Sequence, residues 1–186
     1  GHNQTGHISS VGFDLYCKLV EDMVKDIRGK KTDLQIDIEL NLMVKGFIPK
    51  DYVPDLNQRL DLYRRMQMAN EPEESLAVAS ELADRYGPHP ESVAKLLALL
   101  EIRILCQRIH ISKVEIKNRE VFLYLMPSTP VDPQLLTSLF DERMSMHSEY
   151  KIKIRLDRKG WKADLKIIVK YLRKFTSSLH SLGESN

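Results

Sequence analysis

The stretch SKVEIKNREVFLYLM, residues 112–126, decides the fold class of this 186-residue chain. On either side of Asn118-Arg119, apolar and polar residues alternate, which is typical of strands with one buried and one solvated face. Two such runs joined by a short polar dipeptide predict a β-hairpin. Working outward, YKIKIRL at residues 150–156 and LQIDIEL at residues 34–40 repeat the alternation and predict two further strands.

Helical periodicity appears on both sides of the hairpin. Before it, the spacing of apolar residues predicts helices over residues 11–28, after Asp55, over 72–86 and over 90–108. After it, the pattern predicts a short helix from 133 through 140 and a long amphipathic helix from Trp161 onward. Helices cluster in the middle of the chain and most strands follow them. The predicted fold class is therefore α+β: central helices with a small antiparallel sheet and a long C-terminal amphipathic helix.

The two helices after residue 55 have well-marked ends and distinct apolar sides. Asp55 is an N-cap residue for the first, and Pro72 stands at the start of the second. The residues predicted to be buried are Leu56, Leu60, Tyr63 and Met66 on the first helix, and Leu76, Val78, Ala79, Leu82, Ala83 and Tyr86 on the second. On the long last helix, Trp161 lies on the apolar stripe and is expected in the core.

The composition is that of an ordinary globular domain, with 42% hydrophobic and 29% charged residues and a net charge of +2. No apolar run is long enough to cross a bilayer, and no signal-peptide pattern is visible. Cys17 and Cys106 both lie in helical apolar patterns, which favours buried thiols in a reducing compartment and leaves a disulfide between them open. We therefore expect a cytoplasmic protein with no membrane association.

The nearly balanced net charge hides an acidic region at residues 71–91 and a basic region at residues 151–174. Glu81 and Asp84 are three residues apart and share a helix face, which is either simply solvated or a docking patch for a basic surface. The basic region offers possible nucleic-acid contacts at Lys151, Lys153, Arg155, Arg158 and Lys159, with Tyr150, Tyr171 and Trp161 as rings that could stack. The same alternation also fits the solvent face of an antiparallel sheet.

Motifs for catalysis are missing from the sequence. There is no glycine-rich phosphate loop, no nucleophile elbow and no paired cysteine motif, and the six histidines are scattered. We expect no catalytic residue, no metal and no cofactor in this chain.

Three stretches together resemble the bacterial transcription-repair coupling factors. They are GHNQTGHISSVGFDLYCKLVEDMV (1–24), FIPKDYVPDLNQRLDLYRRM (47–66) and ELADRYGPHP (81–90). The first is similar to the loop and helix that follow the motor motifs in that family, and the others occur in the family's order and spacing. The resemblance is specific over residues 3–90 and weaker after Ile111.

This resemblance implies a division of the chain and a role for each part. Residues 1–30 resemble the tail of a translocase motor with its connecting helix, and Gln4 is similar to the glutamine that links motor and helix. Residues 31–186 resemble the C-terminal regulatory domain. In the family, the whole protein uses ATP to displace stalled RNA polymerase from damaged DNA and recruits UvrA for nucleotide excision repair.

The resemblance also implies a docking contact. The regulatory domain docks on the UvrB-like module of the same protein, covers the surface that would bind UvrA, and restrains the motor. The acidic helix residues of ELADRYG are similar to the family's docking contact, which implies Glu81 and Asp84 as docking residues. Arg85 beside them either orients Asp84 or is simply solvated, and we expect the second. The alternatives are a nucleic-acid-binding module that uses the basic stretch 151–174 and an enzyme fragment, which the missing phosphate motifs argue against.

Overall fold

A computed structural model describes residues 38–130, 133–157 and 160–183. The predicted helix over 11–28, with Gln4, Cys17, Arg158 and Lys159, lies outside these residues. The elements in chain order are β1 (Glu39–Asn41), α1 (Leu56–Met68), α2 (Pro72–Tyr86), α3 (Glu91–Ile109), β2 (Ile111–Lys117), β3 (Glu120–Leu125), α4 (Pro133–Ser138), β4 (Met144–Ser148), β5 (Lys151–Arg155) and α5 (Trp161–Gly183). Helices and a small sheet confirm the α+β class. No helix among the described residues is long and apolar enough to cross a membrane.

The described residues form two compact units. The first comprises Lys45–Leu100, and the second comprises residues 38–44 together with those from Glu101 onward.

Helix α1 of the first unit begins as predicted, because the Asp55 carboxylate accepts a hydrogen bond from the backbone N–H of Gln58 at 2.8 Å. Its buried stripe is displaced from the predicted one and comprises Arg59, Leu62, Tyr63, Met66 and Gln67. Leu56 and Leu60 are only half-buried. Arg59 tolerates burial because its guanidinium donates to the carbonyl oxygens of Val53 at 2.5 Å and Pro54 at 3.0 Å.

Helix α2 starts with a capping box and turns a narrow face to the core. The side chain of each of Glu71 and Glu74 accepts a hydrogen bond from the backbone N–H of the other, and Pro72 follows the cap residue. The buried residues are Ser75, Val78 and Leu82. Leu76 is 68% exposed, so its predicted burial is wrong. It lies about 120° around the helix from Leu82, beyond the edge of the buried stripe.

The segment before α1 holds the helices of the first unit by close backbone contacts. Gly46 packs so tightly that an added Cβ would lie 2.3 Å from the backbone nitrogen of Leu96. The Ile48 N–H donates to the Tyr63 hydroxyl at 2.7 Å in a buried position. The hydroxyl of Tyr52 lies 3.0 Å from the carbonyl oxygen of Leu82 and 2.7 Å from that of Gly87, so it anchors the end of α2.

The second unit is built on a five-stranded sheet in the order β1-β2-β3-β5-β4. The β2–β3 hairpin is confirmed, and Asn118 and Arg119 both have positive φ (53° and 64°), as a two-residue turn of type I′ requires. The prediction of an antiparallel sheet needs one correction, because β1 pairs parallel to β2 with Glu39 opposite Lys113. A parallel pair needs a long crossover, which residues 42–110 supply.

Two further details of this unit differ from the predictions. Strand β4, with the sequence MSMHS, has no strong β-forming residues and was not predicted. Trp161 is half-buried rather than in the core. The core of the unit contains residues of the sheet and of both long helices, among them Val114, Leu123, Ile152, Ile154, Leu105, Ile168, Leu172 and Phe175.

Candidate docking site

Helix α2 carries the two predicted docking residues one turn apart, in different surroundings. The Glu81 carboxylate is held between two arginines, with Arg65 Nη1 at 2.6 Å and Arg85 Nη1 at 2.8 Å. The hydrogen bond from Arg65, and then that from Arg85, lower the pKa of Glu81 below its usual value. Asp84 is exposed, and within the described part of the chain its carboxylate has no hydrogen-bond or ion-pair partner.

Arg85 is exposed to solvent, as expected, but it is also paired with Glu81. Arg85 lies four residues after Glu81, a spacing that brings the two side chains together on a helix surface. Its Nη2 also donates to Gln58 Oε1 at 3.3 Å, and the Tyr86 hydroxyl donates to the same oxygen. Arg85 therefore braces α2 against α1 and fixes the orientation of Glu81.

The surface around the two carboxylates is less acidic than the sequence of residues 71–91 indicates. Arg65 reaches Glu81 from α1, so the immediate neighbourhood holds two carboxylates and two guanidinium groups. Of these two carboxylates, Asp84 is the one that a partner can approach without displacing a cation of the described residues.

An exposed leucine, Leu76, lies near the two carboxylates on the surface of α2. Leu76 lies two turns before Asp84 and about 80° from it around the helix axis. The exposed residues Ala77 and Ser80 lie between them and leave the leucine accessible. Apolar spacing alone predicted Leu76 to be buried, whereas a helical projection centred on Leu82 places it outside the buried stripe.

The second predicted site is the basic face of strand β5. Lys151, Lys153 and Arg155 share one face of the strand as predicted, while Ile152 and Ile154 on the other face are fully buried.

Each of the three strand cations has a partner on its own sheet or in the next turn. Lys151 Nζ lies 4.4 Å from the ring centroid of Phe122, and Lys153 Nζ lies 3.6 Å from a carboxylate oxygen of Glu120. Arg155 Nε lies 3.2 Å from Asp157 Oδ1. Lys153 and Arg155 are therefore paired with carboxylates, whereas the partner of Lys151 is an aromatic ring. Of the rings that could stack, Tyr150 is 47% exposed but Tyr171 is buried, so a stacking role for Tyr171 is excluded.

The described residues also include one cysteine and scattered side chains of the types that bind metals. Cys106 is a free thiol, fully buried, and burial raises its pKa far above the usual value. No group of three His, Cys, Asp or Glu residues in the described ranges could hold a metal ion.

Comparison with known proteins places this geometry in a family. A family model described as the TRCF domain matches residues 42–136, just over half of the chain. The transcription-repair-coupling factor of Myxococcus xanthus is 35% identical over 125 residues, covering 67% of this chain and 10% of that protein. The corresponding protein of Haemophilus influenzae is 30% identical over 183 residues, covering 93% of this chain and 16% of that protein.

A solved structure agrees with the assignment at the level of the fold. It is a crystal structure of the C-terminal domain of a transcription-repair coupling factor, with a TM-score of 0.70 and 16% identity, covering 80% of this chain and 97% of that one. The chain spans only 10% to 16% of the length of the two curated relatives described above. The family expected from the three sequence stretches is confirmed, and this chain belongs to the TRCF domain family.

Proposed function

We propose that this chain is a non-catalytic regulatory module of a cytoplasmic, transcription-repair coupling DNA translocase. It docks through the exposed face of α2 on the UvrB-like module of the same protein, masks the surface that binds UvrA, and restrains the motor until RNA polymerase is engaged. The observation that carries the proposal is the exposed Asp84 carboxylate, free of partners among the described residues and one turn from the oriented carboxylate of Glu81.

The two carboxylates contribute differently to such a contact. Asp84 can accept hydrogen bonds from a partner arginine without losing an existing bond, and a charge-assisted pair of this kind is among the stronger polar contacts. Glu81 already has Arg65 and Arg85, so a partner arginine must share or replace one of them. Docking through Glu81 therefore gains less than docking through Asp84, and the contact stays releasable, as a switch requires.

The test is a binding titration of this chain against the isolated UvrB-like module of its own parent protein. We expect Asp84→Lys to weaken binding by about 1–3 kcal/mol, which is about 5- to 150-fold. Glu81→Lys is a poorer probe, because it places a third cation beside Arg65 and Arg85 and disturbs the fold locally. Asp61→Lys, an equal charge change at an exposed position of α1, is the matched control and should bind like the wild type.

Docking within one chain can be weak when its parts are separated, since a tether supplies a high effective concentration. The titration is therefore repeated with the two parts joined by a flexible linker and read by energy transfer between attached dyes. Equal transfer in the wild type and in Asp84→Lys would overturn the proposal that α2 is the docking face.

A further inference from the structure

The outward face of α5 carries a row of lysines. Lys162, Lys166 and Lys170 are all exposed and follow one another at intervals of four residues. This spacing places successive ammonium groups on one side of the helix, about 6 Å apart along its axis.

These lysines differ from Lys153 and Arg155 of β5 in having no acidic partner. Within the described ranges, none of the three has a carboxylate within ion-pair distance. Lys162 and Lys170 lie over the rings of the neighbouring Trp161 and Tyr171, at 5.6 and 5.8 Å from the ring centroids. Lys113 and Lys153 of the sheet, by contrast, lie 3.3 and 3.6 Å from glutamate oxygens. Lys162, Lys166 and Lys170 therefore place three positive charges without carboxylate partners on one side of the helix.

An open groove of about 1180 Å³ lies beside the lysine row. It is lined by α5, by residues between 138 and 143, and by Asp157. The lining contains five bases and two acids: Arg143, Lys166, Lys170, Arg173, Lys174, Asp141 and Asp157. Three of the five bases are paired with carboxylates, since Arg143 lies 2.6 Å from Asp157, Lys174 lies 3.5 Å from Asp141, and Arg173 pairs with Glu101. Lys166 and Lys170 have no carboxylate partner among the described residues, so the positive charge that the groove presents comes from these two lysines.

We infer that the lysine row of α5 and its groove form a binding surface for the phosphodiester backbone of duplex DNA. Evenly spaced, exposed lysines gain affinity by releasing counterions from a polyanion, and they need no base contact. Single strands are bound largely by base stacking, and Tyr171 in this groove is buried, with its hydroxyl engaged. This surface lies outside α2 and goes beyond the regulatory docking proposed above.

An acidic protein is the less suitable occupant. Protein interfaces rely on large apolar or aromatic anchors at their centre. The exposed large apolar side chains of the described residues are Met43, Phe47, Met68, Leu76 and Tyr150, and none of them belongs to α5.

The test is fluorescence anisotropy of the 186-residue chain with a 20-base-pair duplex of random sequence, over a series of salt concentrations. Contacts by the three lysines predict a slope of log K against log salt of about −3, or about 40-fold weaker binding between 50 and 200 mM salt. Lys166→Gln with Lys170→Gln should reduce the slope by about 2. The matched control, Lys151→Gln with Lys153→Gln, removes the same charge from the sheet and should leave the slope unchanged.

Four results would overturn the inference. They are no binding at low salt, an equal loss in the strand variant and the helix variant, tighter binding of a single strand of the same length, and binding of polyglutamate without binding of DNA. The last result would identify an acidic protein surface as the occupant. Circular dichroism of each variant verifies that the fold is retained. The Asp84→Lys variant should bind DNA no more weakly than wild type, so this inference and the α2 proposal fail independently.

Discussion

The buried hydroxyl of Tyr171 donates a hydrogen bond to the carboxylate of Asp141, 2.9 and 2.8 Å from its two oxygens. This bond joins α5 to the loop before β4. Burial alone would raise the pKa of Asp141, but the hydrogen bonds from Tyr171 and from the backbone N–H groups of Arg143 and Met144 lower it to about 2. Burial, followed by the hydrogen bond to Asp141, raises the pKa of Tyr171 to about 12.

Stability should therefore fall at both ends of the pH scale. The Asp141 pKa is lowered from 3.8, so its contribution is present above that value and is lost as pH falls towards 2. The Tyr171 pKa is raised from 10.0, so its contribution is present below pH 10 and is lost as pH rises towards 12. We expect Tyr171→Phe to reduce the free energy of unfolding at pH 7 by about 1–2 kcal/mol. It should also flatten both flanks of the profile measured by urea denaturation.

Two positions of the first unit require glycine for different reasons. At one there is no space for a side chain, and at the other the backbone conformation is unfavourable for other residues. At Gly46, an added Cβ would meet the backbone nitrogen and Cα of Leu96 at 2.3 and 2.4 Å, and backbone atoms cannot move aside as a side chain can. We expect Gly46→Ala to destabilise the chain by at least about 3 kcal/mol. Gly87 has φ of 88° and ψ of −167°, a backbone conformation essentially confined to glycine, but an added Cβ would meet nothing within 4 Å, so Gly87→Ala should cost about 1–3 kcal/mol from backbone strain alone. Thermal unfolding of the two variants gives the comparison, and equal losses would contradict it.

Leu76 provides a test of the α2 face that leaves both carboxylates in place. Because its side chain is 68% exposed, Leu76→Ser should change the free energy of unfolding by less than about 0.5 kcal/mol. If the leucine is buried on docking, the same change weakens binding to the UvrB-like module by about 1–2 kcal/mol. Met43→Ser, at a residue that is 91% exposed and outside α2, is the control and should leave binding unchanged. Equal binding by all three proteins would remove Leu76 from the interface.

Local signals in the sequence predicted the hairpin and the helix ends. Asn118-Arg119 marks the turn because polar residues tolerate positive φ, and Asp55 caps α1 because its side chain reaches a free backbone N–H. The parallel pairing of β1 with β2 could not be found in the same way. It depends on how residues 42–110 return the chain to the sheet, which no local pattern encodes.

The side-chain contacts of the candidate site also could not be predicted from local sequence alone. The family motif identified Glu81 and Asp84, and the spacing put them on one face. Nothing in the local sequence indicates that Arg65, sixteen residues earlier on another helix, reaches Glu81 and makes the two carboxylates chemically unequal. Ion pairs between elements depend on packing, so residue spacing within one helix cannot predict them.

The parallel pairing of β1 with β2 affects the order in which paired strands become available during protein synthesis. Strand β1 ends at Asn41 and its partner β2 begins at Ile111, so at 5–20 residues per second the ribosome completes β1 roughly 4–14 s before the first residue of β2 exists. The β2–β3 hairpin, joined by two residues, closes within about 1–10 μs once it is released. Strand β1 must therefore wait for its partner, whereas β2 and β3 can pair as soon as both have left the ribosome.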